Sequence, residues 1–346
     1  SPIGFDSFGL PAENAAINAN SHPRGFTDAR IEDLTSSLLR LGASYDLRRV
    51  VKSHDPAYIR WNQWIFKRFL ETGLAYRANA PVNWCPGCQT VLANEQVLSD
   101  GTCERSGDVV EKRDLEQWFF KITQYAQELL DDLDELDWPE RVKVMQRNWI
   151  GRSEGAEFDI AVEGSDATIR VFTTRPDTSF GMTYVVLAPE HPLVASITTD
   201  ERRAEVEAFV EQARNTSEID RLSSEGTLTK RGIDTGARAV NPFNGESLPI
   251  YIADYVLSTY GTGAIMAVPG QDQRDWDFAE AHGLPIIRTV QPPHDFDGEA
   301  YVGDGPAINS QWLDGLHVAD AKAKAVEWLE EQGIGERKVN YRLRDW

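Results

Sequence analysis

Two stretches decide the fold: VFTTRPDTSFGMTYVVLAP, residues 171–189, and YGTGAIMAVPGQDQRD, residues 260–275. Each opens or continues as an apolar, β-prone run and breaks at glycine or proline into small hydroxyl, acidic and guanidinium side chains. Strands supply rigid walls, and the polar loops at their ends supply chemistry. Two such rims in one chain predict a site for a small, positively charged, hydroxyl-linked ligand.

Around these rims, residues 155–310 read as a mixed, β-rich region. Strand-like runs at 156–162, 167–172, 184–187, 250–256 and 264–268 alternate with Gly/Pro/Asn turns, and helices are expected near 200–214 and 272–281. Residues 1–150 read as α/β. A helix is expected over 31–41, stopped by Gly42, and another in DPAYIRWNQWIFKRFLETG, with Asp55 as N-cap, Pro56 at the first helical position and Gly73 beyond the end. A Cys/Gly-rich knuckle follows at 82–108. A third helix is expected over 114–135, and a last one over 320–332, between Asp320 and Gly333. Residues 339–346 read as a strand on which the sequence stops. Hinges are expected at 148–155 and 291–306.

Composition narrows the class. Apolar residues make up 41% and aromatics 10% of 346 residues, enough for a packed core in two or three domains and inconsistent with disorder. No apolar run approaches a membrane span, and SPIGFDSFGLPAENAA has neither the basic nor the apolar region of a secretory signal. Three cysteines fit a reducing, cytoplasmic setting. The missing initiator Met suggests a segment of a longer protein. The net charge of −20 opposes nucleic-acid binding at face value. Arg outnumbers Lys, however, and the acids lie on expected helix faces, so the acidity is read as a halophilic surface adaptation.

The segments GFDSFGLPAENAAI, YIRWNQWIFKRFLETGLAYR, APVNWCPGCQTVLANEQV, MQRNWIGRSEG, TTRPDTSFGMTYVVLAPEHPLV, GTGAIMAVPGQDQRDWDFAEAHGLPI and NYRLRDW, in this order, resemble the bacterial-type leucyl-tRNA synthetases. The resemblance implies a partial class I Rossmann-type catalytic domain (1–82 and 109–150), a zinc-knuckle-like insert (83–108), and an inserted α+β, β-barrel-like editing domain (151–335). Residues 336–346 would return to the catalytic domain. The family's HIGH and KMSKS signatures are absent, so leucyl-adenylate synthesis, with its ATP and Mg, is expected of the parent enzyme alone. The implied partners are tRNA-Leu, leucine, and noncognate isoleucine or norvaline, acting on a monomer. The alternatives are a free-standing aminoacyl-tRNA deacylase and a non-catalytic tRNA-binding module.

Editing hydrolyses an ester, which needs a placed water, charge stabilisation and an anchor for the α-ammonium, but no cofactor. The resemblance gives the anchor to Asp275, with Asp272 beside it, and adds Thr174 and Arg175 as catalytic groups. Asp272 reads equally well as a helix cap. Thr173, Asp177, Thr178, Tyr260, Met266 and Val268 would bind the substrate, with Thr178 as the gate that excludes leucine; Val268 reads better as core. The family often has His where this chain has Gln271, so a His base is not available there. Asp6, with Phe5, matches the family's contact to the leucine ammonium in the synthetic site. Cys85, Cys88 and Cys103 frame a zinc site whose fourth position is Ser106, with Asp108 as a substitute; a knuckle without metal is the alternative.

Overall fold

The computed structural model describes residues 1–93, 96–98, 100–214, 231–257 and 261–346. The chain forms two compact units. The first comprises Ser1–Ala78, Gln117–Ile122 and Asp345–Trp346, and the second Asn79–Glu116 and Thr123–Arg344.

In the first unit, β1 (Ile3–Phe5) pairs in parallel with β2 (Val50–Lys52). A parallel pair needs a crossover, here α1 (Leu10–Asn18) and α2 (Pro23–Arg40). The expected helix over 31–41 is only the second half of α2, which starts at Pro23 in the first helical turn, with the His22 ring accepting from Arg24 N–H. The next helix, α3 (Pro56–Glu71), begins as expected: the Asp55 carboxylate accepts the Ala57 N–H at 3.0 Å. Phe66 and Phe69 pack edge-on against Trp118 and Phe120, and Phe120 stacks on Trp346.

The expected helix over 114–135 is corrected. Its first part is a strand, β5 (Glu111–Phe120), which joins a sheet with β3 (Ala75–Cys85) and β4 (Thr90–Leu92) in the order β4-β3-β5. Helix begins only at α4 (Ala126–Glu135), followed by α5 (Glu140–Ile150). Leu115 and Gln117 are half-buried between exposed neighbours, a period of two, and the aromatic run 118–120 favours a pleated surface. Gly151, at φ 60°, ends α5 at the first expected hinge.

The second unit is organised by a seven-stranded sheet: β6 (Ser153–Val162), β7 (Thr168–Thr173), β8 (Tyr184–Leu187), β9 (Gly232–Val240), β10 (Ser247–Ala253), β11 (Ala264–Ala267) and β12 (Gly335–Asn340). Its order is β11-β8-β10-β9-β6-β12, with β7 also on β6; among its described strands only β8 and β10 pair in parallel. The expected strand at 339–346 is displaced: β12 ends at Asn340, and 341–346 are not strand. Strand β9 escapes the sequence reading because GIDTGARAV lacks a large apolar run.

Alternation sets the core. On β6, Ala156, Phe158, Ile160 and Val162 point inward; β8 is buried on both faces. Val185 and Leu187 join the main core with Ile250, Ile252 and Leu329. Tyr184 and Val186 join a second one beneath Phe278 and Ala279. That is why YVVL reads as an unbroken apolar run. The helices are α6 (Val194–Ile197), α7 (Arg203–Arg214), α8 (Gln273–His282) and α9 (Val318–Gln332). His317, not Asp320, holds the N-cap position of α9, and Gly333 closes it at φ 67°. Among the described residues no helix is long and apolar enough to cross a membrane.

Candidate functional site

Strand β7 delivers the first rim. It ends at Thr173, whose hydroxyl accepts the Arg175 N–H at 2.9 Å, and the chain then turns through a buried 3-10 segment, Pro176–Gly181. Pro176 suits the first position of such a turn because its φ is preset and no N–H is needed there. The Arg175 guanidinium grips the Asp177 carboxylate with both Nε (3.0 Å) and Nη2 (2.8 Å). Asp177 is 2% exposed, so its charge is carried in the interior by this two-pronged pair. Thr178 is fully buried, and both its N–H and its hydroxyl bond to the Arg175 carbonyl, at 3.0 and 2.8 Å. Thr174 faces solvent.

The second rim runs from β11 into α8. Asp272 is the N-cap: its carboxylate accepts from Arg274 and Asp275 N–H and from the Arg274 guanidinium. Burial works against its charge, but the Arg274 hydrogen bond and charge and the cap amides outweigh it, holding the carboxyl below its ordinary 3.8. Asp275, in the first turn, is 5% exposed, and Oδ2 accepts the Val268 N–H at 2.8 Å. Thus the expected cap at Asp272 is present, and the expected anchor at Asp275 is a buried carboxylate. Gln271 is buried as well; its Oε1 accepts from Thr289 at 2.9 Å, and Nε2 has no hydrogen-bond partner among the described residues.

The fold joins the rims. Strand β7 lies against β11, Ser179 Oγ donates to Met266 Sδ at 3.4 Å, and Thr183 N–H reaches the Ala267 carbonyl. Met266 and Val268 are buried alongside, while Tyr260 lies outside the described residues.

Three nearby groups escape the sequence reading. The Tyr184 hydroxyl donates to the Asp275 carbonyl at 3.1 Å, and Tyr255 stands close by. Burial, followed by the negative field of Asp275, pushes both phenols well above 10, so they remain hydrogen-bond donors. Lys322 reaches the same region from α9, which packs on the 3-10 segment. Burial lowers its pKa, against the opposing pull of Asp177. A lysine mid-helix carries no mark of this role in the sequence. A separate cavity of about 550 Å³, lined by Phe180, Asn244, Glu246, Arg288, Asn309 and Gln311 among others, is open and polar.

In the knuckle the three cysteine sulfurs lie within 4.8 Å of one another, and Cys88 Sγ is 3.9 Å from Cys103 Sγ. Four ligands at zinc–sulfur bond length would place sulfurs about 3.8 Å apart, so the trio fits a zinc ion. Burial opposes the Cys103 thiolate, but the N–H groups of Ser106 and Arg105 bring its pKa down to about 7. Ser106 Oγ is 3.1 Å from Cys85 Sγ and accepts the Asp108 N–H. The Asp108 carboxylate instead lies over Gly87, where any Cβ would collide with it, and does not join the sulfur cluster. In the first unit, Asp6 accepts from Ser53 Oγ at 3.2 Å, and Phe5 is buried at the end of β1.

Residues 147–330 match the family described as "Leucyl-tRNA synthetase, editing domain", and residues 14–154 match the class I tRNA synthetases for I, L, M and V. The whole chain is 57% identical to a leucine–tRNA ligase of Rubrobacter xylanophilus and 55% identical to one of Nocardioides sp.. It spans 42% of the length of each. The crystal structure of a ternary LeuRS–tRNA–LeuAMS complex of Agrobacterium radiobacter K84 superposes with a TM-score of 0.76 at 41% identity, covering all of this chain and 40% of that one.

Proposed function

The chain belongs to the leucyl-tRNA synthetase family, and on that premise we propose that its second unit edits, hydrolysing noncognate amino acids from tRNA-Leu. The observation that carries this reading is the junction of the two rims. A buried carboxylate, Asp275, lies on one, and a hydrogen-bonded turn with Thr178 at its centre lies on the other.

In this reading Asp275 pairs with the substrate α-ammonium, fixing the ester carbonyl relative to the turn. The Val268 N–H holds one carboxylate oxygen in place. Asp272 keeps α8 and hence Asp275 in position and gives the site a second negative charge. Thr173 and Thr174 supply hydroxyls for the ribose side. Arg175 is consumed by Asp177 and so acts mainly by stiffening the turn. A water attacks the ester carbon, the alkoxide of the terminal ribose leaves, and the amino acid departs as its carboxylate. With Gln271 in place of a histidine, the proton passes to substrate hydroxyls or water. Thr178 excludes leucine by steric overlap, which discriminates between branched side chains better than attraction does. Tyr260, Met266 and Val268 complete the binding surface.

The same reading assigns 151–335 to editing, 83–108 to the knuckle, and 1–82 with 109–150 to the catalytic domain, with 336–346 returning to it. The approach of β7 to β11 supports a barrel-like closure of the sheet. In the parent ligase Asp6 and Phe5 would serve leucine activation with ATP and Mg. The knuckle would hold zinc through Cys85, Cys88 and Cys103, giving a structural crosslink. A halophilic, cytoplasmic, monomeric enzyme is the setting proposed.

Deacylation of isoleucyl- and leucyl-tRNA-Leu by the purified chain tests the function. Isoleucine should be released and leucine spared. Asp275→Ala should lose at least about 100-fold in rate, a loss of about 2.7 kcal/mol of transition-state stabilisation. Tight tRNA binding without hydrolysis would instead identify a binding module.

A further inference from the structure

We propose that Asn241 is a positioning residue for editing specificity, clamping the turn that carries Thr178 through its side-chain amide. This rests on Thr178 being the gate.

Asn241 lies between β9 and β10 and is fully buried. Its backbone closes the local turn unaided: its N–H reaches the Glu246 carbonyl, and its carbonyl accepts from Gly245, both at 2.8 Å. Side-chain Oδ1 accepts the Phe243 N–H at 3.0 Å, a local bond that Asp or Ser can also make. The remaining group, Nδ2, adds nothing to that turn. It crosses to the Ser179 carbonyl at 2.9 Å, in the middle of the 3-10 segment.

That carbonyl needs the bond. A 3-10 turn is held by strained i→i+3 hydrogen bonds and has little stability of its own. Ser179 C=O already accepts the Met182 N–H at 3.2 Å, and Asn241 fills its second acceptor position. The next residues repeat the contact, with the Phe180 and Phe243 rings packed edge to face at 5.6 Å. The segment is therefore held from the β9–β10 turn at the two residues that follow Thr178, Ser179 and Phe180. Asp275 is held separately, by Val268 and by the first turn of α8. Catalytic anchoring and steric gating thus have different mechanical supports. Removing Asn241 Nδ2 should loosen the gate and leave the anchor in place. A wall that separates side chains differing by the position of one methyl must be fixed to a fraction of its own radius, so slight loosening admits leucine.

The test compares release of leucine and isoleucine from tRNA-Leu by the wild-type chain, Thr178→Ala, Asn241→Ser and Asn241→Asp, with circular dichroism confirming the fold. Both Asn241 variants keep an acceptor for Phe243 and lose the bond to Ser179: aspartate has no donor there, and the serine hydroxyl is one atom too short to span the gap. The expected result is leucine release raised about tenfold or more, with isoleucine release within about threefold of wild type. A purely structural role would lower both rates together. If Thr178→Ala admits leucine while folded Asn241→Ser still spares it, the clamp is overturned alone. If Thr178→Ala also spares leucine, the gate reading falls and the clamp with it. Should the buried charge prevent Asn241→Asp from folding, uncharged Asn241→Ser decides the matter.

Discussion

Thr178 has two chemically different branches, and one is already committed. Its hydroxyl donates to the Arg175 carbonyl at 2.8 Å, leaving the γ-methyl as the branch able to obstruct a ligand. Thr178→Val should therefore still exclude leucine and cost only about 1 kcal/mol of stability for the lost hydrogen bond. Thr178→Ser should keep the bond and admit leucine. Leucyl-tRNA deacylation and a melting curve distinguish them; leucine release by the valine variant alone would make the hydroxyl the wall. The residues of this site were legible where chemistry is concentrated in a short run, as in TTRPDT and GQDQRD. Tyr184, Tyr255, Lys322 and Asn241 were not. Each reaches the site from a different element, and its neighbours exist only after the sheet closes.

Elements show the same division. YVVL at 184–187 was readable because a strand buried on both faces needs no alternation. Helix α8 was readable because Asp272 marks its start; the structure adds Gly283 as its close, at φ 64°. Residues 114–120 were misread because a mixture of charged and aromatic residues satisfies either period, and sheet pairing decides between them. In the knuckle, the spacing presented Ser106 and Asp108 as rivals, whereas the geometry puts Ser106 Oγ beside the sulfurs and Asp108 over Gly87. Ser106→Cys should thus complete a four-thiolate site. Titrated with cobalt(II), it should show a stronger sulfur-to-metal charge-transfer band and hold the metal at least about tenfold more tightly than wild type. Asp108→Asn should leave both unchanged. Identical spectra for wild type and Ser106→Cys would place residue 106 outside the coordination sphere.

At the scale of the whole molecule, a net charge of −20 is spread over an exterior where many acids pair with arginine, as in Arg147 with Asp134 and Glu140, or Arg170 with Glu157 and Asp159. Exposed pairs of this kind contribute little each. The surplus negative charge repels itself and is relieved by screening. The melting temperature should therefore rise as salt increases from millimolar to molar concentration, with the largest gain before the surplus charge is screened. A flat profile would mean that the surface charge has no such role. The order of the sheet has another consequence. Strand β6 enters it and β12 leaves it as hydrogen-bonded neighbours, Ser153 opposite Asn340. A segment that enters and leaves a sheet on adjacent strands can be carried by a host chain that opens at one place. A graft of this kind can be gained or lost in a single event without redrawing the rest of the chain's path.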